Sequence, residues 1–246
     1  MKKDSVQLVD MHNHILFGVD DGADSLGTSL EMLRIAYEDG IRTILLTPHF
    51  HPRRGMAAAE DVYDAFDTLQ EAASQELPDM SLYLGRETYF TSEALEMLED
   101  HEELRICGGG NVLIEFSTRT SGAELSRAVT DVIMMGFTPI VAHVERYGCT
   151  LENKRLIEEI RSKGAYIQVN ADSVLGENGF SVNRVVKWLL KNELVDFIAS
   201  DAHDSNNRKP QLSKCYQYVA KKYGEEYADY MMCELPLRIL NEDLYN

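Results

Sequence analysis

The chain is short of the features that mark several common protein classes. Its four cysteines, Cys107, Cys149, Cys215 and Cys233, are widely spaced with no Cys-x-x-Cys pair, which speaks against a disulfide scaffold and a zinc ribbon and for a reducing cytoplasm. No run of about eighteen apolar residues occurs, and Met1-Lys2-Lys3-Asp4-Ser5 leads into a strand without an apolar leader core. Neither export nor membrane insertion is therefore expected. No Pro/Ser/Gly-rich linker interrupts the 246 residues, so one domain over residues 1–246 is expected. Basic residues are scarce. The 24 Lys and Arg against 41 Asp and Glu leave a net charge of -17, which repels nucleic acid and anionic lipid over most of the surface. A Gly-x-Gly-x-x-Gly turn after a strand is also missing, because Cys107-Gly108-Gly109-Gly110 precedes its strand. That removes the signature of a dinucleotide-binding open sheet.

What the chain does have is a strict alternation of short apolar strands and amphipathic helices. Helical patterns cover Leu26 to Asp39, Ala57 to Glu76, Thr91 to Glu102, Ala123 to Met135, Glu152 to Lys163, Ser181 to Asn192 and Gln211 to Tyr223, most stopping at a Gly, Pro or polar turn. Glu225 to Asn246 reads as a terminal helix and tail. Alternation of this kind predicts parallel pairing with right-handed crossovers, and seven strand-helix units predict a closed or nearly closed barrel.

At the end of almost every strand stands a His, Asp or Glu. His12 and His14 follow Leu8-Val9-Asp10-Met11, two residues apart and hence on one face of an extended segment. His49, Glu87, Glu115, His143, and the pair Asp201 and His203 follow the later strands. The strand Ala165 to Asn170 is the one position without an obvious charged ligand. In a parallel barrel the carboxyl ends of the strands open on one mouth, where groups from separate strands meet. Mixed imidazole and carboxylate donors suit zinc, manganese, iron or magnesium. Asp21 is a further candidate from the loop after His14, although its neighbour Asp20 offers the same chemistry. Two arginines occupy neighbouring loops, Arg146 after His143 and Arg208 after His203, and arginine suits bidentate recognition of phosphate. Arg53-Arg54, in the loop after His49, is either solvated or set to meet an acidic phosphopeptide. Cys149 and Arg155 match the spacing of cysteine-dependent phosphatases, but Thr150-Leu151-Glu152-Asn153-Lys154 has no glycine and carries an acid, which makes a poor phosphate nest.

Taken together, the motifs His12-Asn13-His14-Ile15-Leu16-Phe17-Gly18-Val19-Asp20-Asp21-Gly22, Thr47-Pro48-His49, Gly85-Arg86-Glu87, Ile114-Glu115-Phe116, Ala142-His143-Val144-Glu145-Arg146-Tyr147 and Ser200-Asp201-Ala202-His203 closely resemble the polymerase-and-histidinol-phosphatase (PHP) superfamily. Within it they resemble the bacterial protein-tyrosine phosphatases of capsule and exopolysaccharide loci, the CpsB/YwqE type. The likeness runs from His12 to about Arg208. It implies an α/β fold, a distorted (β/α)7 TIM-like barrel, around three divalent ions, preferentially manganese, with iron, magnesium or zinc as alternatives. By the same resemblance His12, His14, Glu87 and Asp201 hold the first ion. Glu87 bridges to the second, completed by Glu115 and His143, while Asp21, His49 and His203 hold the third. Arg146 and Arg208 bind the substrate phosphate. Phosphate monoesters hydrolyse very slowly unaided, and such a cluster helps by activating a bridging water and neutralising charge on the phosphoryl oxygens. The proton for the departing tyrosine oxygen is left open among Asp201, His203 and water. The implied partner is a phosphotyrosine protein, a membrane-associated tyrosine autokinase, with no nucleic acid and no direct membrane insertion; no oligomeric state is implied. Two rival readings are a small-molecule phosphatase, such as a histidinol-phosphate phosphatase, and a non-catalytic partner of a kinase that keeps only the fold.

Overall fold

The computed structural model of the chain describes residues 7–54 and 57–244. Nine strand segments appear among the described residues: β1 Leu8–Asp10, β2 Ile41–Leu46, β3 His49–Phe50, β4 Ser81–Leu84, β5 Glu87–Tyr89, β6 Asn111–Glu115, β7 Thr138–Val141, β8 Tyr166–Asn170 and β9 Phe197–Ala199. They form two parallel sheets, ordered β1-β2-β4 and β3-β5-β6-β7-β8-β9. The nine segments are the seven expected strands with two of them broken. Thr47-Pro48 separates β2 from β3, and Gly85-Arg86 separates β4 from β5. The proline there has no N–H to give to a ladder. The chains stay paired across the break, with Gly85 N–H donating to Leu46 O at 2.9 Å and Glu87 N–H to Pro48 O at 3.2 Å.

The curl is closed where β9 meets the segment after β1. Asn13 and Ala202 form a parallel bridge, Asp201 N–H donates to His12 O at 2.8 Å, and His14 N–H donates to Ala202 O at 2.8 Å. Beneath this seam the buried Asp10 carboxylate accepts both the backbone N–H and the hydroxyl of Ser200, at 2.9 and 2.5 Å. The result is a distorted, parallel α/β barrel whose first and last strands are stitched together at the residues that carry His12, His14, Asp201 and His203.

The helices follow the expected pattern, with three departures. Those within about two residues of expectation are α1 Leu26–Glu38, α2 Ala59–Glu76, α4 Gly122–Met134, α8 Phe180–Lys191 and α9 Ser213–Tyr223. α4 begins with a full capping box between Ser121 and Glu124, which pairs two otherwise orphaned amides. The first departure is that Thr91 to Glu102 shortens to α3 Ser92–Met97, with a separate 3-10 turn at Glu102–Leu104. The second lies in Glu152 to Lys163, which is not continuous: α5 Gly148–Glu152 and α6 Arg155–Ser162 are divided at Asn153, whose backbone leaves the helical region (φ -137°, ψ 85°), as a side chain that competes for backbone hydrogen bonds allows. The third is a short helix, α7 Ala171–Leu175, after β8. The last segment comprises α10 Glu225–Asp229, a π-type turn at Tyr230–Glu234 and α11 Leu235–Leu244; the end of the expected tail lies outside the described residues.

Two apolar clusters hold these layers. The larger lies between the sheet and the helices. The smaller combines Val9, Met11, Leu45, Leu113, Ile140 and Phe197 from the strands with Leu235, Ile239 and Leu240 of α11. Leu113 and Glu115 lie two apart on β6, so they share one face, and the barrel interior is apolar toward the strand starts and ionisable toward the strand ends. A long-range cap secures α9: the Asp39 carboxylate accepts the N–H groups of Leu212 and Ser213, at 2.6 and 2.8 Å, and the Ser213 hydroxyl at 2.5 Å. Asp39→Ala should therefore destabilise the fold by about 1–2 kcal/mol, read from urea unfolding, while leaving catalytic constants unchanged. An unaltered midpoint would remove the cap from this account.

Candidate metal centre

All nine candidate ligands come from strand ends or the loops beyond them, and the structure brings them together. His12 and His14 are fully buried and point the same way because Asn13 between them is fixed on the opposite side. Asn13 N–H donates to the Thr47 hydroxyl, Thr47 N–H to Asn13 O, and the Asn13 amide to Leu45 O. Glu87, buried at the start of β5, is the hub. Its Oε2 lies 3.1 Å from His12 Nε2, 3.3 Å from His14 Nε2 and 2.9 Å from His49 Nδ1, while its Oε1 lies 2.8 Å from His143 Nε2. Glu115 approaches from β6, 3.7 Å from His143 and 3.8 Å from His49. Asp201 Oδ1 lies 3.7 Å from His12 Nε2 and 3.4 Å from His14 Nε2. His143 and Asp201 both have positive φ, 32° and 51°, a region that residues other than glycine seldom occupy and that clusters at functional sites.

Three sets of potential ligand atoms lie within 4.8 Å of one another: His14, Asp21, His49 and His203; His12, His14 and Glu87; and His49, Glu87 and Glu115. The sets overlap through His14, His49 and Glu87. His12 Nε2, His14 Nε2 and Glu87 Oε2 are buried without a hydrogen-bond partner and face one another. Orphaned buried polar atoms are costly, and three at one point, one of them anionic, fit a divalent cation of the kind that takes nitrogen and oxygen together.

The choice between Asp20 and Asp21 becomes clear from their surroundings. Asp20 is turned inward, where its carboxylate accepts His14 Nδ1–H at 2.7 Å, His49 N–H at 3.0 Å and Gly22 N–H at 2.9 Å. Burial alone would raise its pKa, but His14 and these amides outweigh it and hold it down to about 2. Asp20 thus orients His14 and leaves Nε2 facing inward, the arrangement that fixes imidazole ligands in metal sites. Asp21 points outward, with its carboxylate 3.5 Å from His49 Nε2 and 3.7 Å from His203 Nε2. The turn needs Gly22, because a Cβ there would collide with the His14 carbonyl.

The electrostatics match this geometry. Burial would lower the His12 pKa, but the Glu87 and Asp201 carboxylates carry it up to about 8. His14 is raised well above its ordinary value because Asp20, Asp201 and Glu87 outweigh its burial. Burial together with the neighbouring Glu87 charge pushes Glu115 up to about 7. Asp201 is held far below the usual carboxylate range, since His14, His12 and His143 outweigh its desolvation.

Both candidate arginines converge on Asp201. Arg146 Nη1 donates to Asp201 Oδ2 at 3.1 Å and Arg208 Nη2 reaches the same oxygen at 2.8 Å. Arg208 also donates to the Asp201 backbone carbonyl at 3.0 Å. Its loop is folded back by the Asp204 carboxylate, which accepts the N–H groups of Asn206 and Asn207 at 2.6 and 2.5 Å and that of Arg208 at 3.3 Å. Two half-exposed guanidinium groups therefore stand at the edge of the centre. Beside it runs a groove of about 950 Å³ lined by Phe17, Val19, Phe50, Arg54 and Asp61, and reaching Asp21, His49 and Glu115.

Of the side chains outside the ligand set, His51 and Arg54 line the groove just described. His51 stacks on Tyr89 and His101 faces Glu103. Arg53 pairs with Glu93 at 2.8 Å, and Arg54 sits over the Tyr89 ring. Cys149 lies on α5, in a cleft with Ser126 and Leu156 rather than at the metal centre. Burial raises its thiol pKa, which suppresses the nucleophilic thiolate. Cys149→Ser should keep wild-type turnover; a dead variant with normal metal content would reinstate the thiol.

The profile of the family "Capsular polysaccharide synthesis, CpsB/CapC" matches residues 8–241. The tyrosine-protein phosphatase CpsB of Streptococcus pneumoniae is 33% identical over 244 residues, spanning 96% of this chain and 100% of that protein. The tyrosine-protein phosphatase YwqE of Bacillus subtilis strain 168 is 30% identical over 227 residues, spanning 92% of this chain and 89% of that one. A crystal structure from work on YwqE of Bacillus subtilis and CpsB of Streptococcus pneumoniae, described as unique metal-dependent tyrosine phosphatases, superposes with a TM-score of 0.87 at 30% identity, over 96% of this chain and 95% of that one.

Proposed function

The chain belongs to the CpsB/CapC family of capsular polysaccharide synthesis proteins, and we infer from this membership that it is a metal-dependent protein-tyrosine phosphatase. The observation that carries the chemical side of this reading is the set of inward-facing, unpartnered atoms on His12, His14 and Glu87. The non-catalytic reading does not explain why so costly a constellation persists in a buried pocket.

We further propose three divalent ions, with manganese preferred. His12, His14, Glu87 and Asp201 would hold one, Glu87, Glu115 and His143 a second, and Asp21, His49 and His203 a third. When bound, such ions supply Lewis acidity toward a phosphoryl group and an activated water. The protein's own residues do the rest. Arg146 and Arg208 offer planar donor forks to the phosphoryl oxygens, and a phosphate entering there competes for guanidinium groups that rest on Asp201. Asp20 keeps His14 in register from behind. The adjoining groove has room and apolar wall enough, from Phe17, Val19 and Phe50, for the aromatic ring and flanking backbone of a phosphotyrosine segment.

The physiological substrate in this reading is a phosphotyrosine protein, specifically a membrane-associated tyrosine autokinase, met from the cytoplasm by residues 1–246 acting as one domain. Among the described residues no helix is long and apolar enough to cross a membrane. The test is phosphate release by metal-stripped protein from a phosphotyrosine peptide and from histidinol phosphate, with and without added manganese. Manganese-dependent turnover of the peptide is expected. Preference for histidinol phosphate would move the substrate to the small-molecule class, and no turnover on either would sink the enzymatic reading.

A further inference from the structure

The strand without a charged ligand, β8, presents two neutral amides to the centre instead, and their hydrogen bonds form one connected chain. Gln168 and Asn170 lie two residues apart on one face of the strand, both buried. Gln168 Oε1 stands 2.7 Å from His143 N and 3.1 Å from His12 Nδ1. Gln168 Nε2 donates to Asn170 Oδ1 at 2.8 Å, and Asn170 Nδ2 donates to Asp201 Oδ2 at 2.7 Å. Asn170 is itself held by its backbone N–H, which donates to the buried Glu145 carboxylate at 2.9 Å.

The polarity of this chain is set by one group. The backbone N–H of His143 can only donate, so the Gln168 atom facing it must be the oxygen. That oxygen has no proton, so His12 Nδ1, which faces it too, must carry the hydrogen. The lone pair of the neutral ring is then confined to Nε2, the unpartnered atom that faces Glu87. With the Gln168 oxygen so assigned, its amino group necessarily faces Asn170, whose own amide must turn its oxygen toward Gln168 and its amino group toward Asp201. Asp201 Oδ2 is thereby engaged, which leaves Oδ1 as the oxygen nearest His12 and His14.

We propose that Gln168 and Asn170 are positioning residues, a neutral amide relay that sets the His12 tautomer and the Asp201 carboxylate orientation required for cation binding. The proposal rests on the metal reading of the centre given above. It also accounts for the absence of a charged ligand on β8: a glutamate at position 168 could accept from His12 and His143 but could not donate to Asn170, and the relay would stop there.

The test is a Mn2+ titration of the metal-stripped protein, following free Mn2+ by its electron paramagnetic resonance signal, with melting midpoints recorded in the absence and presence of Mn2+. Second-layer partners of this kind typically contribute 10- to 100-fold to metal affinity. Gln168→Leu is expected to weaken Mn2+ binding by about that factor and to shrink the rise in midpoint on adding Mn2+, a difference that a purely structural role would leave untouched. Gln168→Glu, which keeps the acceptor for His12 but cannot donate to Asn170, should bind Mn2+ more weakly than wild type and stands as the deciding variant if the leucine protein does not fold. Asn170→Asp, with an acceptor set against Asp201, should also weaken binding. Wild-type affinity and an unchanged midpoint rise in Gln168→Leu, or in Gln168→Glu where the leucine protein does not fold, would overturn the relay. A wild-type protein that binds no Mn2+ would overturn both the relay and the metal reading beneath it.

Discussion

Glu87→Ala is expected to lose bound manganese and phosphotyrosine turnover together, with phosphate release falling by roughly 10³-fold or more, since metal clamps and preorganised charges are each worth orders of magnitude in rate. Glu87 stands closer to more of the imidazoles than Glu115 or Asp201 does. Its two oxygens stand within 3.3 Å of nitrogens on His12, His14, His49 and His143, four imidazoles carried by three different stretches of chain. Removing it takes away the anionic charge that offsets a cation there. Glu87→Gln separates charge from shape: it keeps the volume and one carbonyl oxygen, and should still fall well below wild type. The same competition between proton and cation gives a pH dependence. His12 is raised to about 8 in the metal-free chain, so below that pH a cation must displace a proton from it, and binding releases protons. Apparent Mn2+ affinity should therefore rise from pH 6 to pH 8. Metal content and phosphate release measured on one preparation decide the matter. A Glu87→Ala protein that keeps turnover while its metal is gone removes the ions from the mechanism.

Much of this centre was readable before any coordinates because a parallel barrel turns a one-dimensional regularity into a place. A His, Asp or Glu just past an apolar run lands at the mouth whichever strand it comes from, and all eight such candidates lie there, with Asp21 joining them from its loop. What stayed hidden depended on neighbours far along the chain. Asp20 and Asp21 are adjacent and chemically alike; only the turn at Gly22, packed against the His14 carbonyl, sends one inward to His14 and the other outward to His49 and His203. Gln168 and Asn170 carry no charge, and an amide in an apolar strand has no sequence signature of its own, so their contacts to residues 156 and 31 positions away could not be anticipated. The same applies to Asp10, which looks like a stray acid in β1 until Ser200, 190 residues later, is found on its carboxylate. The broken strands at Thr47-Pro48 and Gly85-Arg86 are a packing outcome. The buried Arg86 guanidinium donates to His49 O at 3.0 Å and lies over the Phe50 ring, which ties one break to the other and offsets His49 from β2.

Arg208→Ala separates substrate binding from metal binding, because the Arg208 guanidinium is held by the Asp201 carboxylate and backbone carbonyl and is not itself one of the candidate ligands. The variant should retain its manganese and lose about 10²-fold in kcat/KM on a phosphotyrosine peptide, the scale for removing one charged donor from a developing phosphoryl charge. Inorganic phosphate should weaken as an inhibitor in parallel. Arg208→Lys should recover only part of the loss, since a point charge cannot reproduce a planar fork. Arg146→Ala should behave alike, and the double variant should lose less than the product of the two single effects. Both guanidinium groups converge on one oxygen, Asp201 Oδ2, at 3.1 and 2.8 Å, so they act as one donor set that the loss of either already disables in large part, and residues that share a partner are not additive. Asp201 itself stays anchored in either single variant, because Asn170 still donates to that oxygen at 2.7 Å. Metal content is therefore the discriminating measurement: Arg208→Ala protein that loses manganese in step with activity would make the arginine a support of the cluster rather than a receiver of phosphate.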